Sequence, residues 1–308
     1  MSQHMRRVAR GQVATPDGRA KIPGVLVFLL ASLLQVPQNP SPMSDTTRPH
    51  PRVARYEVAG RRATLSTGTL YLPPEFDPRG RSSLHVHFHG APWLIEHHLS
   101  RAKQTLLVTV HLGAGSRVYA EAFEEPGRFL RVVGEAVSRA SELAGARIGI
   151  AAIRVSAFSA GYGAVRSLLQ QPEQYARVDS VLLADSLHAS YSAPAGPARA
   201  ADLPVDLESL AVFFRFAADA AAGRKQMEVT HSEVFPGTYA STTETADALL
   251  AHLGLPRRRV LRDGPLGMQQ LSEAGRGGFR LRGYAGTSAP DHMDHFYALG
   301  DWARRVNR

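Results

Sequence analysis

Residues 150–169 read IAAIRVSAFSAGYGAVRSLL, and this stretch sets the architecture expected of the whole chain. Its first eight residues are mostly apolar, which predicts a buried strand. From about position 160 the apolar residues recur at helical spacing, and Pro172 ends the predicted helix. A sharp turn from strand to helix needs very small residues two positions before and after the corner, and here they are Ala157 and Gly161. The corner residue, Ser159, therefore presents its hydroxyl at a helix N-terminus, where free N–H groups favour negative charge.

Strand-like and helix-like patterns alternate through the rest of the chain. Strands are predicted at 55–58, 69–72, 84–89, 106–110, 181–184, 226–231 and 279–283, and helices at 129–143, 207–222, 241–254 and a final segment carrying Phe296, Leu299, Ala303 and Val306. The third of these helices opens with a capping box formed by Ser241 and Glu244. The alternation predicts an α/β protein with a mostly parallel central sheet and helices on both faces.

Polar side chains follow several of the predicted strands. They are His89 with Gly90, Ser159, Asp185, Glu233, and the pair His292 and His295. In an open parallel sheet the ligand site lies beyond the carboxyl ends of the strands, so these residues should gather at one edge. Serine, then acid, then histidine is one of the chain orders in which a catalytic triad occurs.

Because of these residues at the strand ends, the chain resembles the α/β-hydrolase family. The resemblance covers roughly residues 55–308. The family's corner pattern is G-x-S-x-G, and this chain departs from it by having Ala157 at the first glycine position. The resemblance implies an α/β-hydrolase fold with Ser159 as the nucleophile. It also implies an oxyanion hole made by the backbone N–H groups of Ala91 and Ala160.

The resemblance leaves two choices for the acid of the triad. The family usually places the acid after the strand before last, which selects Glu233. Some members place it one strand earlier, which selects Asp185, although an aspartate there could simply cap the following turn. We expect Glu233, and we keep Asp185 as the alternative.

The base also has two candidates. His292 is expected in the loop after the last strand, and His295 inside the final helix. A base that must reach both the serine and the acid is better placed in a loop, so we expect His292, with His295 as the alternative. The residues expected to contact the substrate are His89, Gly90 and Tyr162.

These features together predict a serine hydrolase that acts on a carboxylic ester through an acyl-enzyme. The chain has no cysteine, so covalent catalysis must use another nucleophile such as serine. No cofactor or metal is required. The expected cover of the site, 186–206, is short, which favours a small-molecule ester over a long lipid chain.

A rival hypothesis starts from the alternating histidines His85, His87 and His89. A His-x-His pair at a strand end resembles the opening of the amidohydrolase family, in which a bound metal activates water. Against it, no second His-x-His or His-x-x-x-His follows, and stacked histidines beside the pocket would explain the cluster. A third hypothesis is a non-catalytic α/β-hydrolase-like binding protein, which the presence of all three triad residue types argues against.

Charge argues against nucleic acid as a partner. The formal net charge is +9, but residues 1–55 hold eight basic and two acidic residues and so carry six of those nine charges. After position 55 no basic stripe is interleaved with aromatic residues. The oligomeric state is not predicted by the sequence.

The first 50 residues are expected to lie outside the hydrolase domain, which is placed at 51–308. Residues 22–36, IPGVLVFLLASLLQV, resemble the apolar region of a signal peptide and are too short for a comfortable membrane span. The pattern favours a secreted or periplasmic protein. The alternative is a cytoplasmic protein whose true start is Met43.

Overall fold

A ten-stranded sheet runs through the described part of this computed structural model, which covers residues 53–192 and 203–306. In chain order the strands are β1 (Arg61–Thr64), β2 (Thr69–Leu72), β3 (Ser82–Phe88), β4 (Thr105–Val110), β5 (Ile150–Phe158), β6 (Val178–Ala184), β7 (Gln226–His231), β8 (Arg258–Asp263), β9 (Gln269–Arg276) and β10 (Phe279–Tyr284). Their order across the sheet is β1-β2-β4-β3-β5-β6-β7-β10-β9-β8. The six strands from β4 to β10 in that order are mutually parallel, and an antiparallel pair flanks them at each edge. The expected class, a mostly parallel α/β fold, is confirmed.

Helices cover both faces of the sheet. They are α1 (Pro92–Leu99), α2 (Ser116–Glu124), α3 (Arg128–Ala144), α4 (Tyr162–Gln170), α5 (Pro172–Arg177), α6 (Ala211–Ala221), α7 (Thr242–Leu253), α8 (Ala289–Tyr297) and α9 (Leu299–Val306). Alternate strand residues point to opposite faces, which gives two apolar cores. Val86 and Phe88 share one core with α2, α3, α4, α6 and α7, whereas Phe158 and Leu182 share the other with α1, α8 and α9.

The helix ends follow local sequence rules. The expected capping box at Ser241 is present, because its hydroxyl accepts from the Glu244 N–H while the Glu244 carboxylate accepts from the Ser241 N–H. A second capping box, formed by Ser288 and Asp291, opens α8 directly after the last strand. This second box starts the helix earlier than we expected and shifts His292 from a loop into its first turn.

Several expected elements differ in the structure. Residues 55–58 form no strand, and the final helix is divided into α8 and α9. Helices α1 and α2 and the β8–β9 hairpin were not predicted from the sequence. Strand β8 is mostly exposed at the edge of the sheet, so it lacks the apolar pattern by which the inner strands are recognised.

Two predictions fall on residues that the structure does not describe. The leader at 1–50 lies outside the described residues, and so does the middle of the expected cover at 186–206. The two ends of that cover are held by antiparallel bridges, Ala189 with Ala240 and Tyr191 with Val205. Within 53–192 and 203–306, no helix is both long and apolar enough to cross a membrane.

Candidate active site

Ser159 occupies the sharp corner between β5 and α4. Its φ of 47° is in the left-handed region, which is strained for any residue with a Cβ atom. A single 3₁₀ turn, Ser159–Gly161, leads from the strand into the helix. Position 161 requires glycine, because a Cβ atom there would lie 2.3 Å from the carbonyl oxygen of Phe88. The small residue expected two positions after the corner is therefore explained by close backbone packing.

Asp185 lies at the corresponding position after β6, with a φ of 45°. Its buried carboxylate accepts four hydrogen bonds. The N–H and Oγ of Ser232 donate at 2.9 and 2.7 Å, Thr242 Oγ1 at 2.5 Å, and His292 Nδ1 at 2.6 Å. Ser232 follows β7 and Thr242 begins α7, so two separate elements orient this carboxylate toward the helix that carries His292.

The electrostatic surroundings keep Asp185 ionised. Burial alone would raise the pKa of this carboxyl. The charge of His295, the hydrogen bond and charge of His292, and the hydrogen bond from Thr242 oppose burial and hold the pKa well below its usual value. A charged carboxylate in this position favours a proton on the facing nitrogen of His292 and fixes the orientation of the ring.

His292 lies inside α8, not in the loop where the sequence analysis expected it. Its Nδ1 faces Asp185, while its Nε2 is buried without a hydrogen-bond partner in the described part of the chain. The imidazole ring lies 4.5 Å, centroid to centroid, from the ring of Phe158, the residue before Ser159. One nitrogen is thus fixed by a carboxylate, and the other is unsatisfied on a ring packed beside the serine corner.

Glu233, the expected acid, makes different contacts. Its side chain is exposed and accepts from the N–H of Gly286 at 3.3 Å, and its own N–H donates to the Gly286 carbonyl at 2.9 Å. Among the described residues, Asp185 is the carboxylate that bonds to His292, and Glu233 ties the loop after β7 to the loop after β10. Both candidates follow a strand, so their positions in the sequence do not show which carboxylate a histidine contacts. That contact depends on where the helix α8 lies.

His295, the alternative base, faces the core on the same helix. Its Nδ1 lies 2.8 Å from Thr230 Oγ1, and its ring packs against Tyr284 and Trp302 at 5.5 and 5.6 Å. Burial lowers its pKa, and the nearby charge of Asp185 opposes that effect. Its contacts are those of a packed core histidine beneath the site.

The expected oxyanion loop leaves β3 through two residues with positive φ, His89 at 69° and Gly90 at 119°. A Cβ atom at Gly90 would lie 2.3 Å from the ring of Phe296, so this position requires glycine. Ala91 caps α1, and Ala160 lies in the turn after Ser159, where the first amides of a helix lack intrahelical acceptors.

Aromatic side chains pack around His188, which lies in the expected cover. Tyr162, expected to contact substrate, is the first residue of α4, and its ring lies 5.5 Å from that of His188. Tyr239 packs on the other side of His188 at 5.1 Å and is 41% exposed. Ser232, Thr242 and Tyr239 were not predicted from the sequence as site residues, although hydroxyl residues directly after β7 and at the start of α7 were a usable signal.

The three histidines of the metal hypothesis are engaged by protein groups. His85 Nε2 and His87 Nδ1 both contact Ser156 Oγ, and His89 Nδ1 contacts the Tyr119 hydroxyl at 2.9 Å. No group of three or more His, Asp or Glu side chains in the described ranges is arranged to hold a metal ion. These three histidines therefore form hydrogen bonds to protein groups within and beside the sheet.

The order of the mostly parallel sheet, the helices on both of its faces, and the strained serine between strand and helix are those of an α/β-hydrolase fold. A scan against family models and a search of curated proteins by sequence give no match. Solved structures with similarity include an S-formylglutathione hydrolase from Agrobacterium tumefaciens, with 14% identity, a TM-score of 0.43 and coverage of 82% of this chain and 96% of that one. A feruloyl esterase module from Clostridium thermocellum has 12% identity, a TM-score of 0.42 and coverage of 82% and 95%. Esterase 2 from Thermogutta terrifontis has 15% identity, a TM-score of 0.42 and coverage of 80% and 96%. These similarities are low, and the fold assignment rests on the geometry above.

Proposed function

We propose that this protein is a serine hydrolase that cleaves small carboxylic esters through an acyl-enzyme. The observation that carries the proposal is His292, whose Nδ1 is 2.6 Å from the Asp185 carboxylate while its Nε2 is buried and unsatisfied. A histidine held in this way is ready to take a proton from a hydroxyl near its other nitrogen. The hydroxyl at the neighbouring strand corner belongs to Ser159.

In the proposed reaction, Ser159 Oγ attacks the ester carbonyl while Nε2 of His292 takes its proton. The same nitrogen then protonates the leaving alcohol, and the acyl group remains on the serine. Water attacks the acyl-enzyme with His292 again as base, which releases the acid. The developing oxyanion is held by the amides of Ala91 and Ala160.

Asp185 takes the role of the acid because it can do what the reaction requires of that group. Ionised and fixed by four hydrogen bonds, it holds the neutral ring with the proton on Nδ1 and stabilises the imidazolium that forms during attack. Glu233 is exposed and bonded to a backbone amide, which suits a loop tie better. The expectation from the sequence is therefore revised from Glu233 to Asp185.

A fluorophosphonate probe tests the proposal directly. We expect the wild-type protein to form one covalent adduct, which mass spectrometry locates on Ser159, and to hydrolyse short p-nitrophenyl esters with or without EDTA. Ser159→Ala is the matched control and should neither be labelled nor hydrolyse ester. Activity that survives in this variant but is lost in EDTA would replace the proposal with metal-dependent hydrolysis. A folded wild-type protein without labelling or turnover would indicate a binding protein.

A further inference from the structure

The alternating histidines of β3 have no role in the proposed reaction, yet they connect to the expected oxyanion loop. His85 and His87 are buried beside Ser156 of the neighbouring strand β5. His85 Nε2 lies 2.6 Å from Ser156 Oγ, and that oxygen lies 2.7 Å from His87 Nδ1. His87 Nε2 in turn lies 2.7 Å from the carbonyl oxygen of His89. The result is a continuous chain of hydrogen bonds that ends on the first peptide of the loop.

The His89 carbonyl oxygen, at one end of this series of hydrogen bonds, determines the direction of every bond in the series. A carbonyl oxygen can only accept, so Nε2 of His87 must carry a proton and donate to His89. In the neutral ring Nδ1 is then an acceptor, and the Ser156 hydroxyl donates to it. With its proton used, the Ser156 oxygen accepts from the Nε2–H of His85. Each donor therefore points toward the loop, and such aligned bonds strengthen one another.

Both histidines are held in the neutral form that this arrangement needs. Burial lowers the pKa of His85 to about 3, with the nearby charge of Arg154 acting in the same direction. Burial also lowers the pKa of His87 well below its usual value, and the charge of His85 adds to the effect. At neutral pH neither ring therefore acquires a second proton that would reverse a bond.

Stability alone does not account for these residues. Nδ1 of His85, at the far end of the chain, is buried with no hydrogen-bond partner among the described groups. An unpaired buried acceptor is destabilising, and an apolar side chain in the same place would avoid it. The chain thus includes an unfavourable group, and its other end holds a loop in a strained conformation.

The loop needs such support. His89 has a positive φ, a conformation that a residue with a Cβ atom adopts at a cost in energy, and Gly90 after it is also left-handed. Phe296 of α8 stacks on the His87 ring at 5.9 Å and packs closely against Gly90. The histidine that bonds to the loop therefore also contacts the helix that carries His292.

We propose that His87 is a positioning residue, which fixes the His89–Gly90 peptide through its Nε2–H and so aims the Ala91 amide at the reacting oxygen. This inference rests on the proposed function, in which Ala91 is an oxyanion donor. His87 touches no substrate and acts through the loop. Its loss should lower kcat while KM stays nearly unchanged, because the oxyanion forms only in the transition state.

The test compares four variants of the full chain with the wild type, using p-nitrophenyl acetate as substrate. His87→Phe keeps a ring but removes both hydrogen bonds, and it should lower kcat about 10- to 100-fold, the size expected for a misplaced catalytic group. His87→Gln has an amide that can donate to the His89 carbonyl, and it should recover part of the loss. Ser156→Ala breaks the chain one bond earlier and should lower kcat less than His87→Phe.

Val86→Ala is the matched control. Val86 is fully buried on the opposite face of the same strand, so this variant loses core packing but leaves the hydrogen-bond chain intact. It should lower Tm and keep kcat within about twofold of wild type. The thermal unfolding midpoint of each variant, measured in parallel, shows whether a change in kcat only follows stability.

Three results would overturn the proposal. They are an unchanged kcat in both His87→Phe and Ser156→Ala, an equal loss in His87→Gln and His87→Phe, or a loss of kcat in Val86→Ala as large as theirs. If His87→Phe does not fold, kcat of Ser156→Ala is compared with kcat of Val86→Ala. A kcat of Ser156→Ala no lower than that of Val86→Ala would then overturn the proposal. A wild-type enzyme that neither hydrolyses ester nor reacts with a fluorophosphonate would instead remove the proposed function, and this inference with it.

Discussion

Two regions of the molecule are rich in titratable side chains: the edge of the sheet at the carboxyl ends of its central strands, called the carboxyl edge below, and the β8–β9 hairpin. At the carboxyl edge these side chains are buried, whereas in the hairpin they are largely exposed. At the carboxyl edge Asp185 and His292 are 1% and 3% exposed, and each has a specific, oriented contact. In the hairpin Arg258 and Arg262 pair with Glu273 while their own side chains stay 69% and 49% exposed. The hairpin therefore leaves its charge in water, whereas the carboxyl edge buries polar groups that only a complete set of partners can stabilise.

The difference shows how to locate chemistry in a basic protein. The number of charged residues would direct attention to the hairpin and not to the carboxyl edge. Exposed ion pairs, however, contribute little to stability and impose little geometry. Buried polar groups are costly unless they are satisfied, so the unsatisfied Nε2 of His292 beside the serine corner calls for an explanation, and the proposed reaction supplies one.

The two histidines of α8 give the sharpest contrast within the carboxyl edge. We expect His292→Ala to lower kcat/KM by roughly 10⁵-fold or more, as loss of the base does in related triads. His295→Ala should mainly lower stability, because it removes a buried hydrogen bond to Thr230 and the packing against Trp302. Ester hydrolysis and urea unfolding of both variants check this. A larger loss of activity in His295→Ala would move the base to the other histidine.

The two carboxylates are compared in the same way. Asp185→Asn should lower kcat roughly 10⁴-fold, because a neutral amide no longer stabilises the imidazolium and favours the wrong tautomer of His292. Glu233→Gln should keep most of the activity, since its described side-chain contact is with a backbone amide. Steady-state kinetics on purified variants gives the ranking. The reverse order would return the acid to the position that the sequence analysis first favoured.

Buried histidines make the carboxyl edge and the neighbouring strands sensitive to acid. Burial lowers the pKa of His85 to about 3 and those of His89 and His231 to about 4. In the unfolded chain these rings titrate near pH 6.5, so below that pH the unfolded state binds more protons. Their full contribution to stability is present above about pH 6.5 and is lost as the pH falls toward 4, by up to about 1.4 kcal/mol per pH unit for each ring.

Urea unfolding at pH 7, 6 and 5 measures this slope. His231→Gln should reduce it, because one group with a lowered pKa is removed. Val229→Ala is the control, since it loses buried packing on the same strand but removes no titratable group and should leave the slope unchanged. A free energy of unfolding that stays constant from pH 7 to pH 5 in the wild type would contradict the assignment of neutral buried histidines.

The hairpin should give the smallest effect. Glu273→Gln removes the partner of both Arg258 and Arg262, yet these arginines are well exposed, so the free energy of unfolding should fall by no more than about 1 kcal/mol. The difference from wild type should shrink further in high salt. Ester hydrolysis should be unchanged. A large loss of activity in this variant would mean that the hairpin is coupled to the site and that the two regions are not independent.

The central part of the fold could be read from the sequence because its strands are largely buried and contain short apolar runs. β3, β4, β5 and β6 were located within a few residues, and so was the corner at Ser159, where close packing requires a small residue at Gly161. The hairpin could not be read in this way, because an exposed edge strand such as β8 has no apolar pattern to recognise.

The candidate site was predictable in its residue types and less so in its pairing. Sequence order named Ser159, Asp185, Glu233 and both histidines as residues at strand ends, but not which carboxylate reaches which ring. That depends on where α8 begins, and the Ser288 capping box starts it early enough to bring His292 onto Asp185. The hydroxyls of Ser232 and Thr242 fix the carboxylate from two other elements. Each lies at a recognisable element boundary, but the local sequence does not show that both reach Asp185.

If Ser159, His292 and Asp185 act as one unit, as proposed, a double-mutant cycle should show it. The measurement is kcat/KM for Ser159→Ala, Asp185→Asn and the double variant on the same ester. Groups that work only together lose almost everything with the first substitution, so the double variant should be about as active as Ser159→Ala alone. Losses that multiply, with the double variant lower by the full factor seen for Asp185→Asn in the wild type, would show that Asp185 acts independently of the serine and would contradict the account.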